Sequence, residues 1–257
     1  MNDTTFIFDG VNSLDMGLYI IKINDGIFSS PYISKQNIIE EQMFKKHVPI
    51  YFTVQKQPFE FEVIFSLLDE EFTPERKYEL ARWLIQDEYK EFISTDYIGK
   101  IFYVIATNQA DFMSGGNNKG YFSLNFRTNA PWAYSPVEIQ TYDLSAINEP
   151  TIIQIENKSN ALKYYKPEIQ IELIDNSTGV ELHNLSIGNN KLTLSNLNTN
   201  EIIYINNETK QIVSNLVDTY RLSNWNKQPL ILTNGINNIR VSSKCKITVR
   251  NQFPILI

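Results

Sequence analysis

Cysteine occurs once in the 257 residues, at Cys245. One thiol cannot close an intramolecular disulfide, and it cannot supply the several thiolates of a Cys-rich zinc centre. Histidine is nearly as scarce. His47 and His183 are the only imidazoles, which excludes a three-histidine metal centre. No apolar run approaches the ~18 residues of a membrane helix. The opening residues, Met1 to Ser13, lack a basic stretch followed by an apolar one. The chain therefore reads as made in a cytoplasm, without a secretory signal or membrane insertion. Positive charge is in deficit, with 23 Lys and Arg against 29 Asp and Glu, a net of -6. That balance argues against a sequence-independent grip on nucleic acid.

Catalytic motifs are missing as well. Neither G-x-S-x-G nor H-E-x-x-H occurs. The pair Gly115-Gly116 is followed by no Lys-Ser/Thr and no helix, so it is a hairpin tip and not a phosphate loop. Carboxylates crowd Asp69-Glu70-Glu71 and recur at Glu60, Glu62, Glu75 and Glu79, but nothing in their spacing sets two across a cleft. Cys245 stands between Lys244 and Lys246, where a thiol could be activated, yet its place in an apolar strand pattern suits a core residue. The expectation is no enzyme, no cofactor and no metal.

Material for a packed interior is ample. Hydrophobic residues make up 42% of the chain, and Phe 15, Tyr 14 and Trp 3 supply the aromatics. At the usual ~150 residues per domain, this length suits two domains better than one, with a single large all-β domain as the competing reading. The two halves also differ in kind. Residues 1–150 carry 21 acidic and 12 basic residues, a net of -9, whereas 151–257 carry 8 and 11, a net of +3. Asn runs the other way, with 10 in the first stretch and 18 in the second. Two prolines, Pro131 and Pro136, bracket Trp132 and Tyr134 and resist continuation of a helix or central strand. The organisation expected is a first domain over 1–134, a linker over about 135–144 and a second domain over 145–257.

Period-2 patterns dominate the first domain. Strands are expected over 5–8, before the Asp9-Gly10 turn, and over 18–23, before Asn24-Asp25-Gly26. Strands over 48–56 and 59–67 read as partners across Gln57-Pro58, the second with Phe59, Phe61, Val63 and Phe65 on one face. Strands over 102–107 and 121–127 complete the set. The strands over 18–23 and 59–67 carry few lysines to block their edges, which are then either paired across subunits or hidden under the helix and local loops. One helix interrupts, over about 73–86. Thr73 is its N-cap, Pro74 its first helical residue and Glu75 suits the positive end of its dipole. Tyr78, Ala81, Leu84 and Ile85, widened by Leu80 and Trp83, form the stripe expected to cover a sheet.

The second domain shows no helix. Short β-branched segments over 151–156, 168–174, 191–195, 201–205, 238–241 and 246–250 alternate with Asn, Gly and Ser, the pattern of a β-sandwich. Tyr164, Tyr165, Tyr220 and Trp225 lie near inferred loops and are candidate sugar contacts. Adjacent residues of a strand point opposite ways, so Tyr164 and Tyr165 cannot share one platform. A free-standing carbohydrate-binding protein is therefore the alternative reading, with packing under loops as the plainer role for these rings.

A series of motifs then falls in one order along the chain. Phe6-Ile7-Phe8-Asp9-Gly10-Val11-Asn12-Ser13 is similar to an F-x-F-x-G-x-x-S opening, and Leu80-Ala81-Arg82-Trp83-Leu84 to a helix ending in Trp-Leu. Phe122-Ser123-Leu124-Asn125-Phe126 and Pro131-Trp132-Ala133-Tyr134 follow, then Leu232-Thr233-Asn234-Gly235-Ile236-Asn237-Asn238-Ile239. In these the chain resembles the phage tail component family, the distal tail proteins of long-tailed phages with non-contractile tails. The resemblance covers nearly the whole chain. It departs at Asn237-Asn238, where the family often has a small residue, and in lacking a long insertion in the second domain.

That resemblance implies a mainly β protein: a sandwich-like ring domain with one packed helix, followed by a galectin-like or carbohydrate-module-like sandwich. It implies a homohexameric hub at the distal end of a virion tail, contacting tail tube protein, tail-associated hub protein and baseplate or receptor-binding protein. DNA passes through the lumen without sequence-specific binding. Phe6, Phe8, Gly10, Trp83, Leu84, Pro131, Trp132 and Tyr134 are the structural or interface candidates.

Overall fold

The computed structural model describes residues 5–21, 35–67, 73–95, 98–107, 111–114, 120–175 and 177–256. The Asn24-Asp25-Gly26 turn, the Asp69-Glu70-Glu71 carboxylates and the Gly115-Gly116 pair lie outside the described residues. The protein is mainly β and divides into two units, residues 1–135 with 255–257, and residues 136–254.

The first unit contains β1 (Phe6–Phe8), β2 (Val11–Asn12), β3 (Leu18–Ile20), β4 (Gln36–Glu41), β5 (Ile50–Lys56) and β6 (Glu60–Leu67). Then come α1 (Pro74–Leu84), β7 (Lys90–Ser94), β8 (Phe102–Ala106), β9 (Asp111–Ser114), β10 (Gly120–Thr128) and β11 (Ala133–Tyr134). Its main sheet runs β2-β1-β7-β8-β10-β6-β3, with β9 also on β10. In a flat sheet, β1 and β6, four places apart, would be separated by about 19 Å at the usual strand spacing. The rings of Phe6 and Phe65 nevertheless have centroids 5.2 Å apart. The sheet therefore rolls over its inner face, and its two halves enclose a core of Phe6, Phe8, Phe65, Phe92, Phe102, Phe122 and Phe126. This is the sandwich-like architecture with one packed helix. Asp9 and Gly10, both at positive φ, make the two-residue turn that joins β1 to β2.

Two expectations for this unit are corrected. β6 does not pair with β5: it lies inside the sheet between β10 and β3, with Phe122 opposite Phe65 and Leu18 opposite Leu67. Its alternating Phe and Val residues match an inner sheet face, whereas the residues of β5 match only β4. The open edge expected at 59–67 is therefore absent. The helix begins as expected, with Thr73 Oγ1 accepting from the Arg76 N–H at 3.3 Å. Its buried face is Leu80 and Leu84, with Trp83 packed against the core. Tyr78, Ala81 and Ile85 are exposed. At about 100° per residue Tyr78 falls well away from Leu80 and Ala81 lies at the margin, while Ile85 caps the helix in an extended conformation, so the expected stripe is buried only in part.

The second unit is a β-sandwich of β12 (Glu138–Asp143), β13 (Thr151–Asn157), β14 (Tyr164–Tyr165), β15 (Glu168–Leu173), β16 (Val180–Asn184) and β17 (Asn190–Leu194). It continues with β18 (Ile202–Asn206), β19 (Gln211–Ser214), β20 (Leu232–Thr233), β21 (Gly235–Val241) and β22 (Cys245–Asn251). One sheet runs β12-β22-β15-β18-β19, the other β13-β21-β16-β17. Their inner faces build one aliphatic core, in which Ile169, Ile171, Ile205, Ile239, Ile247 and Val249 are all buried. The residues expected to be a linker are a strand instead. β12 pairs with β22 from Glu138 opposite Asn251 to Asp143 opposite Lys246. Alternation in Glu-Ile-Gln-Thr-Tyr-Asp is weak because an edge strand buries little of either face.

Candidate assembly surfaces

The β4–β5 hairpin is a two-stranded sheet of its own, joined to no other strand among the described residues. All six residues of β4 are exposed, and in β5 only Val54 is partly covered. Its side chains are nonetheless apolar: Ile38, Ile39, Met43, Phe44, Val48, Ile50, Tyr51 and Phe52 are all exposed, Phe44 at 89%. Local bonds define the tip. The Lys46 N–H donates to the Met43 carbonyl at 3.1 Å, and the Lys45 ammonium lies 5.3 Å from the Phe44 ring centroid. A two-stranded hairpin in water is marginal by itself, and apolar residues gathered on it make it a candidate contact surface. His47 sits exposed in this tip.

The candidates of the first unit fall into a framework. Phe6 and Phe8 are buried, and Trp83 packs against both rings. Leu84 is buried beside them. Tyr134 exchanges backbone bonds of 2.8 Å with Ile101, and its ring meets Tyr103 edge-on at 5.2 Å. Pro131 and Trp132 are half-buried, and the indole nitrogen of Trp132 is buried without a hydrogen-bond partner among the described residues.

In the second unit the four aromatic candidates take different roles. Trp225 is buried, with its indole N–H donating to the Gln228 carbonyl at 3.1 Å. Tyr165 packs on Phe253 and its hydroxyl accepts from the Gln252 N–H at 2.9 Å. Burial pushes that phenol up to about 12. Tyr164 and Tyr220 are exposed, and no ring contact among the described residues joins any two of the four. Cys245 is fully buried, and burial pushes its thiol up to about 12, so it is inert in the native fold. His183 is on β16, with Nε2 2.6 Å from the Gly188 carbonyl oxygen. Among the described residues, no group of three or more His, Cys, Asp or Glu is placed to hold a metal ion, and no helix is long and apolar enough to cross a membrane.

The asparagines of this unit have a structural use that composition alone did not reveal. Residues 229–233 run through the interior with Leu230 and Leu232 fully buried, and an irregular buried backbone needs partners for its polar groups. Asn190 spans two of them, donating to the Pro229 carbonyl and accepting from the Ile231 N–H, both at 2.9 Å. Asn207 accepts from the Leu230 N–H at 2.8 Å. Asn184 donates to the Ile231 carbonyl at 2.7 Å, and Asn157 to the Leu232 carbonyl at 3.3 Å. Asn237 both accepts from and donates to the backbone of Thr233. An amide offers a donor and an acceptor without charge, which is why Asn and not Asp fills these places.

A second fixed point is the loop after β19. Glu201 is fully buried and takes both nitrogens of the Arg221 fork, at 2.8 and 2.7 Å, with Ser214 and the Asn198 N–H completing its bonds. The loop so anchored exposes Val217 at 87% and Tyr220 at 89%.

Fold and surfaces together define a two-module, mainly β protein. Comparison with known proteins agrees. Residues 1–130 match the phage tail protein N-terminal domain family, and residues 132–250 match the phage tail C-terminal domain. The chain belongs to this phage tail protein family. It is 23% identical over 257 residues to the SPbeta prophage-derived uncharacterized protein YomH of Bacillus subtilis strain 168, covering 98% of this chain and 97% of that one. Among solved structures it shares the fold of the Dit protein of phage SPP1, with a TM-score of 0.70 and 16% identity over 97% of this chain and 99% of that one. SPP1 Dit is described as a paradigm of the hub adsorption apparatus in phages that infect Gram-positive bacteria. A chain of the phage P2 baseplate in its activated, calcium-bound conformation aligns with a TM-score of 0.56 and 10% identity over 98% of both chains.

Proposed function

We propose that this chain is a distal tail protein, six copies of which close a ring at the end of a phage tail tube. The ring joins the tube to the baseplate or receptor-binding apparatus. The first domain forms the ring and the second offers contact surfaces to tail-associated and receptor-binding proteins. The protein acts as a scaffold, without catalysis or cofactor, in the virion after synthesis in the host cytoplasm. The observation that carries this reading is the β4–β5 hairpin: an apolar arm exposed on both faces is stable only against another surface. Membership of the phage tail family and the Dit-type fold support the same reading.

Charge fits the lumen of such a ring. Residues 1–150 carry a net of -9, so a closed assembly repels DNA and lets it pass. Of the four aromatic candidates of the carbohydrate-binding alternative, Tyr165 and Trp225 are engaged in packing, which favours the scaffold reading. Native mass measurement tests the proposal. Six chains of 29.8 kDa total about 179 kDa, whereas a species at 29.8 kDa across the working concentration range refutes the ring.

A further inference from the structure

Two end strands of the second unit, β17 and β19, are treated differently by the connection over 215–231. The edge of β17 is sealed. Asn226 bonds Lys191 and Thr193 along it, and Asn224 bonds Ser195, in five hydrogen bonds of 2.8–3.2 Å that leave no room for another strand. The edge of β19 is open. The Asn215 N–H donates to the Ile202 carbonyl at 3.0 Å, so in this antiparallel ladder Gln211 and Val213 turn their main-chain groups toward β18. Ile212 and Ser214 turn theirs outward, where they find no partner among the described residues. The strand Gln-Ile-Val-Ser also carries no charge, and a charge on an edge is a usual means of refusing a further strand.

The exposed loop is fixed beside this edge. One carboxylate oxygen of the buried Glu201 accepts from the Ser214 hydroxyl at 2.6 Å and from Arg221 Nε at 2.8 Å. The last residue of the strand and the residue after Tyr220 therefore meet at a single atom. Val217 and Tyr220 stand exposed between them, and Val213, 46% exposed, lies on the outer face of the sheet opposite Tyr204. Unpaired main-chain groups in extended register, flanked by apolar side chains, match the chemistry of an extended segment of another chain. We propose that β19 is an acceptor edge, to which an uncharged, β-branched segment of another tail protein adds as a sixth strand of the five-stranded sheet. That segment bonds Ile212 and Ser214 through its main chain and covers Val213, Val217 and Tyr220 with its side chains. The inference rests on the hub reading and names the surface of the second domain that receives the partner. Because Glu201 and Arg221 hold the loop beforehand, little ordering cost is left to binding.

Amide hydrogen exchange of the full-length protein, read at single residues by fragmentation mass spectrometry, tests the edge. In the chain alone the Ile212 and Ser214 amides are expected to exchange fast and the Val213 amide slowly. The chain is then mixed with the purified tail-associated protein and, separately, with the purified receptor-binding protein of the same phage. One of the two is expected to slow Ile212 and Ser214 by on the order of tenfold or more, with Val213 nearly unchanged. Val213→Lys places a charge on the edge and is expected to weaken that complex by on the order of tenfold, whereas Val213→Thr preserves it. Binding that leaves the two amides fast, or that Val213→Lys does not weaken, overturns the strand addition while the hub reading stands. Failure of both proteins to bind overturns both. Amides already slow in the chain alone overturn the proposal as well, and their release on dilution would assign the edge to a second copy.

Discussion

Trp83 lies nearly parallel to Phe6, with ring centroids 5.7 Å apart and planes 13° apart, while its indole N–H donates to the Phe8 carbonyl at 3.1 Å. One side chain from the only helix among the described residues thus grips both ring and backbone of the first strand, more than seventy residues earlier. The two sequence motifs that contain these residues are halves of one contact. Phe8 completes it edge-on to the same indole at 6.0 Å.

Replacing Trp83 with Ala removes the stack and the indole bond to the Phe8 carbonyl, at a cost of about 3 kcal/mol, typical of large aromatic deletions. Trp83→Phe keeps the ring and loses only the N–H bond, costing about 1 kcal/mol. Denaturant unfolding of the full chain orders the three proteins. Equal midpoints for Trp83→Ala and the parent contradict the packing.

How far the sequence leads differs between elements. The helix start was legible because Thr73, Pro74 and Glu75 act through local backbone chemistry that no distant residue can override. The orientation of that helix was not, because Tyr78, Ala81 and Ile85 form as regular a line as Leu80 and Leu84, and only the sheet decides which line is covered. Pairing of β5 with β4 was missed for a similar reason: Gln57-Pro58 reads as a turn, but strand neighbours are set by which inner faces match. Composition shows only that the second half is rich in Asn. Its asparagines at 157, 184, 190, 207 and 237 face inward onto one segment, an arrangement invisible until positions far apart in the chain are brought together.

Those asparagines give a prediction with a defined pH dependence. Asn207 is fully buried, donating to the Pro167 carbonyl at 2.7 Å and accepting from the Leu230 N–H. In Asn207→Asp, a carboxylate faces the Pro167 carbonyl and cannot donate to it; protonated, it can. Folding then raises the pKa of the new acid, so the penalty is full at neutral pH and shrinks as pH falls through the raised value. The expected loss at neutral pH is about 3 kcal/mol, the cost of a buried group left without its partner. Unfolding curves at neutral and mildly acidic pH check this. A penalty that grows on acidification contradicts the bond assignment.

Cys245 is expected to be silent in the native protein. A thiol-specific chromogenic reagent at mildly alkaline pH should give no reaction on folded protein and one equivalent per chain in denaturant, since burial holds the thiol at about 12. Rapid labelling of the native chain would show that the strand Cys245–Asn251 opens locally.

The anchored loop of the second unit yields the last prediction. Burial alone pushes the Glu201 carboxyl up, but the bonds from Arg221, Ser214 and Asn198 outweigh it, and the net effect holds the group below its ordinary value. A depressed folded pKa contributes stability that is present above the ordinary carboxylate range and is lost as pH falls through the folded value. Arg221→Ala removes the largest counterweight and leaves a buried charge unpaired, at a cost of about 3–5 kcal/mol near neutral pH. In that variant burial dominates, the Glu201 pKa rises, and the sign reverses: the deficit relative to the parent narrows as the solution is acidified. Urea unfolding of both proteins from neutral to acid pH measures the two slopes. Parallel profiles would mean that Glu201 is not held by Arg221 in solution. Converging profiles would establish that the ion pair fixes the loop carrying Val217 and Tyr220, side chains whose near-complete exposure on a rigid support is the arrangement a protein-binding anchor requires.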